Sequence, residues 1–363
     1  MATTSPTNNN NNALLEGSIL AVIHRLAVPM LISALLQNLQ TLIDLFWVGR
    51  LGPHAIAGVA LSGVVVMLLL PGLMGLSTGT VAMVARAIGA GDLTLAGTAA
   101  AQSILLGCLM GLLIAGLGWW PADALLRLLG TGADVMPAAS VYLKISMVGT
   151  VTVFILFIGS AALQGSGDTV TPMYIMAVSN VLNMVLDPLF IFGLGIMPPL
   201  GVAGAAIATI CAQALAATLL MAILLRGRGQ LHLRRPCWRP NIGLAWRIIR
   251  IGIPGSGQML SRSLMGAVIM RIVARCGTTA VAAYGTGLRF HMIILMPAFA
   301  LGGAAATLVG QNLGALRPAR AHRVAWAATA LDIGFMLVSA TIMYLFAPQL
   351  IGVFNSDPEV VKI

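Results

Sequence analysis

Three acidic residues lie inside long apolar segments of the chain. They are Asp44, Asp187 and Asp332. An ionised aspartate at the centre of a bilayer costs about 2.5–3.5 kcal/mol on insertion scales, so an acid in such a segment is a candidate functional residue. A carboxylate in this setting can carry a proton or hold Na⁺. The chemistry expected from these residues is therefore ion coupling.

Two of these acids are accompanied by polar side chains on one helical face. Asp44 follows Gln37 and Thr41 at a spacing of i, i+4 and i+7, and Asp187 ends a second stripe spaced i, i+3 and i+7. Both acids are expected roughly 10 Å below one membrane surface, at about 1.5 Å per residue. They could thus line one cavity, although polar contacts that only hold helices together are the alternative. The predicted ion-coupling site consists of Asp44, Asn180, Asn183 and Asp187.

A substrate cavity is predicted beside these stripes. Gln37 and Thr41 are expected to line it, together with Met173 and Met176 on the helix that carries Asp187. Methionine is flexible and polarizable, and therefore suits varied apolar ligands. Ordinary packing of the methionines is the alternative.

Pro29 and Asp332 each allow two interpretations. Pro29 lies fifteen residues before Asp44 and one or two turns into its span, where it forms either a static kink or a hinge. Asp332 is either a functional site or the partner of Arg262 or Arg289 in an ion pair. The sequence favours neither interpretation of Asp332.

Composition places the chain in the membrane. Hydrophobic residues make up 59 % of the sequence and charged residues 8 %, against roughly 25 % charged in soluble proteins. The first dozen residues contain an Asn run without an apolar core, which is typical of a disordered tail and not of a signal peptide. The four cysteines show no paired spacing, so we expect no metal or redox role for them.

Apolar stretches of spanning length recur along almost the whole chain. Nine spans are predicted, at about 20–48, 54–84, 97–120, 138–163, 170–195, 201–225, 247–274, 279–310 and 321–346.

Arginines gather in alternate loops, which predicts the orientation. The +10 charge comes from 18 Arg and 2 Lys against ten acids, and seven of the arginines lie in residues 226–250. By the positive-inside rule this side is cytoplasmic, with the N-terminus inside. No nucleic-acid-binding motif accompanies the arginines, so we expect the partner of the basic loop to be anionic lipid headgroups.

The chain repeats itself at an offset of 225 residues. When residues 26–90 are laid over residues 251–315 without a gap, fourteen positions are identical, including Pro29 with Pro254 and Gly52 with Gly277. An internal duplication in an apolar chain is typical of two-lobed transporters, and an even number of spans per copy gives both copies one orientation. The copies differ in chemistry, because Asp44 is matched by Ile269.

The repeat also predicts the domain organisation. We expect a tail at 1–19, a first six-helix lobe at 20–226, a basic loop at 227–246 and a partial second lobe at 247–363. The second copy is shorter than the first, so nine of twelve helices are expected and the last quarter of the molecule is expected to be missing.

Several motifs together resemble the multidrug and toxic compound extrusion (MATE) transporters. The resemblance covers essentially everything from residue 20 onward. It is carried by Leu26-Ala-Val-Pro29, Ile43-Asp44, Val48-Gly-Arg-Leu-Gly52, Ala161-Ala-Leu-Gln-Gly-Ser-Gly-Asp-Thr169, Asn183-Met-Val-Leu-Asp-Pro-Leu-Phe-Ile-Phe-Gly193 and Val309-Gly-Gln-Asn-Leu-Gly-Ala315.

This resemblance implies an all-α, V-shaped carrier of two pseudo-symmetric six-helix lobes in the cell membrane, functional as a monomer. Such carriers export organic cations or amphipathic drugs in exchange for H⁺ or Na⁺, with no cofactor besides that ion. The resemblance assigns the ion site to Asp44, Asn183 and Asp187, with Na⁺ as the one metal considered, and the hinge to Pro29. The seventh and eighth spans contain no acid, so the chain looks closer to the DinF-like branch than to NorM.

Two other functions remain as alternatives. A lipid-linked oligosaccharide flippase of the wider superfamily needs a cationic central cavity, for which Arg262 and Arg289 are available. An intramembrane enzyme needs a nucleophile with a base, or metal ligands. The sequence contains neither G-x-S-x-G nor H-E-x-x-H, so we expect no enzymatic activity.

Overall fold

The computed structural model describes residues 14–193, 198–227, 230–347 and 349, without the side chains of residues 278, 279, 282, 286, 289 and 290. Residues 1–13 of the tail predicted at 1–19, the segment that follows residue 349 and the side chain of Arg289 lie outside this description, whereas residues 14–16 of that tail are helical. The regular elements of the described part are helical. The predicted all-α class is thereby confirmed for that part.

Long helices follow one another along the chain, with one short turn of 3₁₀-helix at Arg235–Trp238. They are α1 (Ile19–Gly49), α2 (Pro53–Met67), α3 (Leu70–Gly89), α4 (Leu93–Trp119), α5 (Ala122–Leu128), α6 (Met136–Gly165), α7 (Val170–Phe192), α8 (Val202–Arg226), α9 (Ile242–Ala274), α10 (Thr278–Gly314) and α11 (Pro318–Leu345).

Within the described residues, seven helices are long and apolar enough to span a membrane, or eight if α2 and α3 together form one span. The region of the span predicted at 54–84 consists of two helices, α2 and α3, that meet at a 46° bend. Pro71 explains the break, since it has no N–H to donate to the carbonyl of Met67 one turn earlier. The count of nine spans is not confirmed. Arg262 and Arg271 lower the mean hydropathy of α9, which is therefore not among the helices apolar enough to span a membrane.

The two copies of the repeat share backbone details. Gly52 and Gly277 precede α2 and α10, and both adopt φ 103°, a conformation that favours glycine. Gly91 and Leu316 occupy matching positions after α3 and α10, with φ 75° and 56°. Leu316 is the one non-glycine residue with positive φ in the described part. The offset of 225 residues therefore corresponds to matching turns.

The core of the bundle lies between α3, α4, α6 and α8. Its largest buried side chains include Ile104, Phe154, Ile158 and Leu220. Small residues allow helices from the two copies to approach closely, as is usual in membrane bundles. For instance, α9 packs on α3, where a Cβ on Gly252 would meet the carbonyl of Gly75.

Contacts between the two copies concentrate at one end of the molecule, which we call the basal face: the end at which α1 begins and α3, α6 and α10 end. There Thr307 Oγ1 donates to the Gln164 carbonyl at 3.2 Å, and Gln311 Nε2 donates to the Gly165 carbonyl at 3.1 Å. Residues 14–17 cover this seam, because Arg317 bonds the Leu15 carbonyl and pairs with Glu16 at 3.3 Å. These contacts therefore close the space between the two copies at the basal face.

Candidate functional site

The central polar contact joins two residues of α7. Asn183 Nδ2 donates to Asp187 Oδ1 at 3.2 Å, and both side chains are fully buried, at 0 % exposure. They face the same way because they are one helical turn apart. Pro188 follows Asp187 inside the helix. Because proline has no N–H, α7 lacks one backbone hydrogen-bond donor beside the Asp187 carboxyl.

Asp44 of α1 lies against this contact. Its half-buried carboxyl interacts with the side chains of Asp187, Asn183 and Thr209. The helix packing explains the approach, since α1 lies along α7. The structure thus brings together Asp44 and Asp187, which the sequence patterns placed at one depth, and Asn183, which they placed on the helix face of Asp187.

Several oxygens of this cluster have no hydrogen-bond partner among the described residues, although they are buried. These oxygens are Asp44 Oδ1, Asn180 Oδ1, Asn183 Oδ1 and Asp187 Oδ2. A buried polar atom without a partner is costly, so these oxygens are candidates to bind a proton, an ion or water. All four of these atoms are oxygens, which are the ligands that hard cations prefer.

Asn180 connects this cluster to a position of α1 about two turns before Asp44. Its Nδ2 donates to the Leu36 carbonyl at 2.6 Å, and its side chain is 5 % exposed. Pro29 lies inside α1, where Ser33 Oγ donates to its carbonyl at 2.9 Å. The polar contacts of α1 therefore run from the proline towards Asp44.

Two neighbours of the cluster were not predicted from the sequence. Thr209 of α8 lies 3.5 Å from Asn183 Nδ2 and donates to the Ala205 carbonyl at 3.0 Å. Tyr142 of α6 lies close enough to interact electrostatically with Asp44 and Asp187. In the sequence, Thr209 and Tyr142 were marked only as polar residues in apolar spans. A single hydroxyl is too common in membrane helices to identify a site.

A cavity of about 440 Å³ lies between the copies, bounded by α1, α3, α6, α7 and α10. Gln37 and Met176 line it, as predicted, whereas Thr41, Met173, Asp44 and Asp187 do not belong to its lining. Thr41 instead donates to the Gln37 carbonyl at 3.3 Å. Asp44 and Asp187 lie outside this lining and meet instead at the α1–α7 interface.

The remaining candidates lie apart from the acids. Among the described residues, neither Arg262 nor Asp332 forms an ion pair, and the predicted pairing with Arg262 is therefore absent. Asp332 Oδ1 is buried without a partner. The Arg262 guanidinium lies over the ring of Phe299, at 5.2 Å from the centroid.

Comparisons with known proteins identify the family. The family model MatE matches residues 29–189 and 254–363. The chain belongs to the MATE family. It is therefore a multi-pass membrane protein of a transporter family, and its relatives are transporters and not enzymes.

The relatives of the chain bear different functional names. The chain is 30 % identical over 358 residues to the FAD transporter of Shewanella oneidensis, and this alignment covers 97 % of this chain and 78 % of that protein. It is also 30 % identical over 340 residues to the probable multidrug resistance protein NorM of Thermotoga maritima, covering 93 % and 73 %. The crystal structure of a MATE transporter in the bent conformation matches with a TM-score of 0.89 at 28 % identity, covering 99 % of this chain and 79 % of that one.

Proposed function

We propose that this MATE-family chain is a secondary antiporter that exports amphipathic or cationic small molecules in exchange for H⁺ or Na⁺ by alternating access. The observation that carries the proposal is the buried contact of Asp44 with Asp187 and Asn183. α1 contributes Gln37 to the cavity and Asp44 to this contact. One helix therefore touches both the substrate space and the ion site.

Charge repulsion supplies the coupling step. Two ionised carboxylates in contact repel each other strongly where water is excluded. No basic side chain of the described residues pairs with either one. A proton or Na⁺ held between the carboxylates removes the repulsion and keeps α1 against α7, and its release drives the two helices apart.

Either ion fits the donors present. A proton needs the two adjoining carboxyl oxygens, and Na⁺ can also use the side-chain oxygens of Asn180 and Asn183. One net positive charge that enters per cycle down a potential of 100 mV contributes about 2.3 kcal/mol. That is enough for a tens-fold ratio of substrate concentrations, whereas one-for-one exchange with a monovalent cation moves no net charge and depends on the ion gradient alone.

The first lobe, residues 20–226, is the lobe to which we assign the ion site, as in the DinF-like branch. The repeat counterpart of Asp44 is Ile269 in α9, so the described second copy offers no matching acid. Pro29 is the proposed hinge of α1. The basal face, with its arginines, is assigned to the cytoplasmic side of the cell membrane.

The cavity favours small molecules over the flippase alternative. Its volume of about 440 Å³ is in the usual range of drug-sized sites. Its described lining carries no charged side chain, whereas a flippase for a lipid-linked oligosaccharide needs a larger, cationic space.

Export of ethidium from proteoliposomes under imposed pH and Na⁺ gradients, applied separately, tests the proposal. We expect one gradient to drive export in the wild type, and Asp44→Asn and Asp187→Asn to abolish it at normal protein content. Asp332→Asn is the matched control, because it removes an intramembrane acid outside the pair. Gradient-driven export that survives in Asp187→Asn would overturn the proposal.

A further inference from the structure

The segment that joins the two copies, residues 230–241, is packed onto the first copy at the basal face. We call this segment the connecting strap. Leu231, Leu233 and Cys237 are buried and belong to the hydrophobic core between α3, α4, α6 and α8. The Leu233 N–H also donates to the Leu224 carbonyl near the end of α8, at 3.0 Å. The strap is therefore part of the packed structure of the first copy.

One buried side chain of α4 holds the far end of the strap. Gln102 is 3 % exposed, and its Nε2 donates to the carbonyls of Cys237 and Arg239 at 3.2 and 2.9 Å. Its Oε1 accepts the N–H of Asn241 at 3.0 Å. Both the donor and the acceptor of this amide are thus satisfied by the strap. Because a buried polar group without a partner is costly, α4 and the strap stabilise each other.

The residue that donates to Gln102 is also the N-cap of α9. The Asn241 Oδ1 accepts the Leu244 N–H at 3.0 Å, which is the usual role of an asparagine at this position. Asn241 therefore contacts α4 of the first copy through its backbone and caps the first helix of the second copy through its side chain. Gln102 thus determines where α9 begins relative to α4.

α9 packs closely on the first copy only in its basal half. A Cβ on Gly79 would overlap the Ile248 carbonyl, and a Cβ on Gly75 would overlap Ser256. Further along α9, residues 261–268 are all exposed within the described part of the chain. The close contact of the second copy with α3 is therefore adjacent to the residue that Gln102 holds.

We propose that the connecting strap moves with the first copy during transport, and that Gln102 is the positioning residue that fixes the pivot on which α9 and the second copy turn. The inference rests on the proposed function, because a pivot has a role only in a carrier whose two halves change their relative position. Hinges are commonly a few residues at the ends of regular elements. The start of α9 at Asn241 is such a position.

The thiol of Cys237 reports whether the strap stays in place. The chain contains three other cysteines, so the measurement uses a background with Cys108→Ser, Cys211→Ser and Cys276→Ser. Labelling by N-ethylmaleimide is followed on the full chain in proteoliposomes, with and without the gradient that drives ethidium export. We expect slow labelling of the buried thiol at rest, and a change of less than about twofold during export.

Gln102→Leu tests the anchor, because it keeps a side chain of similar size and removes the three hydrogen bonds. We expect labelling of Cys237 to become at least about tenfold faster. The maximal rate of export per folded molecule should fall about tenfold, whereas KM for ethidium should change less than twofold, since Gln102 does not line the cavity. Gln213→Leu, which changes a glutamine near the middle of α8, is the matched control and should behave as the wild type.

Gly97→Ala disturbs the strap by a second route. A Cβ on Gly97 would lie 2.8 Å from the His232 carbonyl oxygen, so the variant displaces the strap while the side chain of Gln102 is kept. We expect faster labelling of Cys237 and a lower maximal rate, both smaller than in Gln102→Leu. This variant provides a reading if Gln102→Leu fails to fold.

Two outcomes overturn the inference. One is labelling of Cys237 that becomes at least about tenfold faster during export by the wild type, because the strap would then leave the first copy. The other is a wild-type maximal rate in both Gln102→Leu and Gly97→Ala. Failure of the antiport proposal gives a different result, in which Asp44→Asn exports like the wild type while Gln102→Leu still lowers the maximal rate.

Discussion

Asn183 donates its side-chain N–H to Oδ1 of Asp187 at 3.2 Å, with both side chains fully buried in the bundle. This bond holds one oxygen of the carboxyl. The second oxygen, Oδ2, is buried without a partner among the described residues, as is Oδ1 of Asp44. The two free oxygens are the atoms at which a proton or Na⁺ binds in the proposed mechanism.

The hinge predicts a loss of transport without a loss of stability. Pro29→Ala restores a backbone N–H inside α1, so the helix becomes straighter and stiffer. We expect gradient-driven export to fall about tenfold, with an equal or higher unfolding temperature. Pro254→Ala, at the matching position of α9, is the control and should retain more than half of the export rate. Wild-type export by Pro29→Ala would show that the proline is a static kink.

The basal seam predicts paired effects of two matching glycines. A Cβ on Gly89 would overlap the Gln311 carbonyl oxygen, and one on Gly314 would overlap that of Arg86. Gly89→Val and Gly314→Val should each destabilise the closed seam by about 1–3 kcal/mol, seen as a lower unfolding temperature in detergent and as lost export. Gly116→Ala is the control, since a Cβ there meets nothing within 4 Å. Unchanged stability in both valine variants would contradict the close approach.

The repeat predicts a stabilising substitution. Leu316 adopts φ 56° and is 87 % exposed, whereas its counterpart Gly91 is a glycine. Leu316→Gly removes the steric cost of this left-handed conformation without a loss of packing, and should raise the free energy of unfolding by up to about 1 kcal/mol. Leu316→Ala should give no gain, because alanine keeps the Cβ. Equal unfolding temperatures for the Gly and Ala variants would argue against the strain.

An exposed ion pair predicts a pH effect. Lys144 donates to Asp123 at 2.7 Å, and this hydrogen bond lowers the pKa of the Asp123 carboxyl below its ordinary value of 3.8. A lowered folded-state pKa stabilises the protein above the unfolded value, and that contribution is lost as the pH falls through the folded value.

The effect is small, because the Asp123 side chain is 43 % exposed. Asp123→Asn should therefore lower the unfolding temperature slightly at neutral pH, and this difference should shrink as the pH falls below 3.8. A difference between variant and wild type that is larger at low pH would have the wrong sign for this pair.

Helical spacing could indicate which residues lie together, because it rests on a geometry that any helix obeys. Asp44, Asn183 and Asp187 do lie together in the structure, and their role in ion coupling stays a prediction. The contribution of Thr209 was not predicted, since its position depends on how α8 packs against α7. Helix packing is decided by many weak contacts that no local pattern records.

Two further features also depended on packing and could not be predicted from local patterns. They are the break between α2 and α3 and the location of the cavity. Pro71 stood in the sequence as a breaker, but a proline can either kink or end a helix, and only the bundle shows the 46° bend. Likewise, Gln37 and Asp44 share a face of α1 in sequence terms. Only Gln37 reaches the cavity, because α7 covers Asp44.

Infrared difference spectroscopy of the protonated carboxyl band, recorded on the full chain in lipid as the pH rises or Na⁺ is added, tests directly whether Asp44 and Asp187 hold the coupling ion. We expect the wild type to lose a protonated-carboxyl band in one of these steps, and Asp44→Asn and Asp187→Asn each to lack this change while Asp332→Asn retains it. A band change that persists in both Asp44→Asn and Asp187→Asn would contradict the claim that this pair holds the coupling ion.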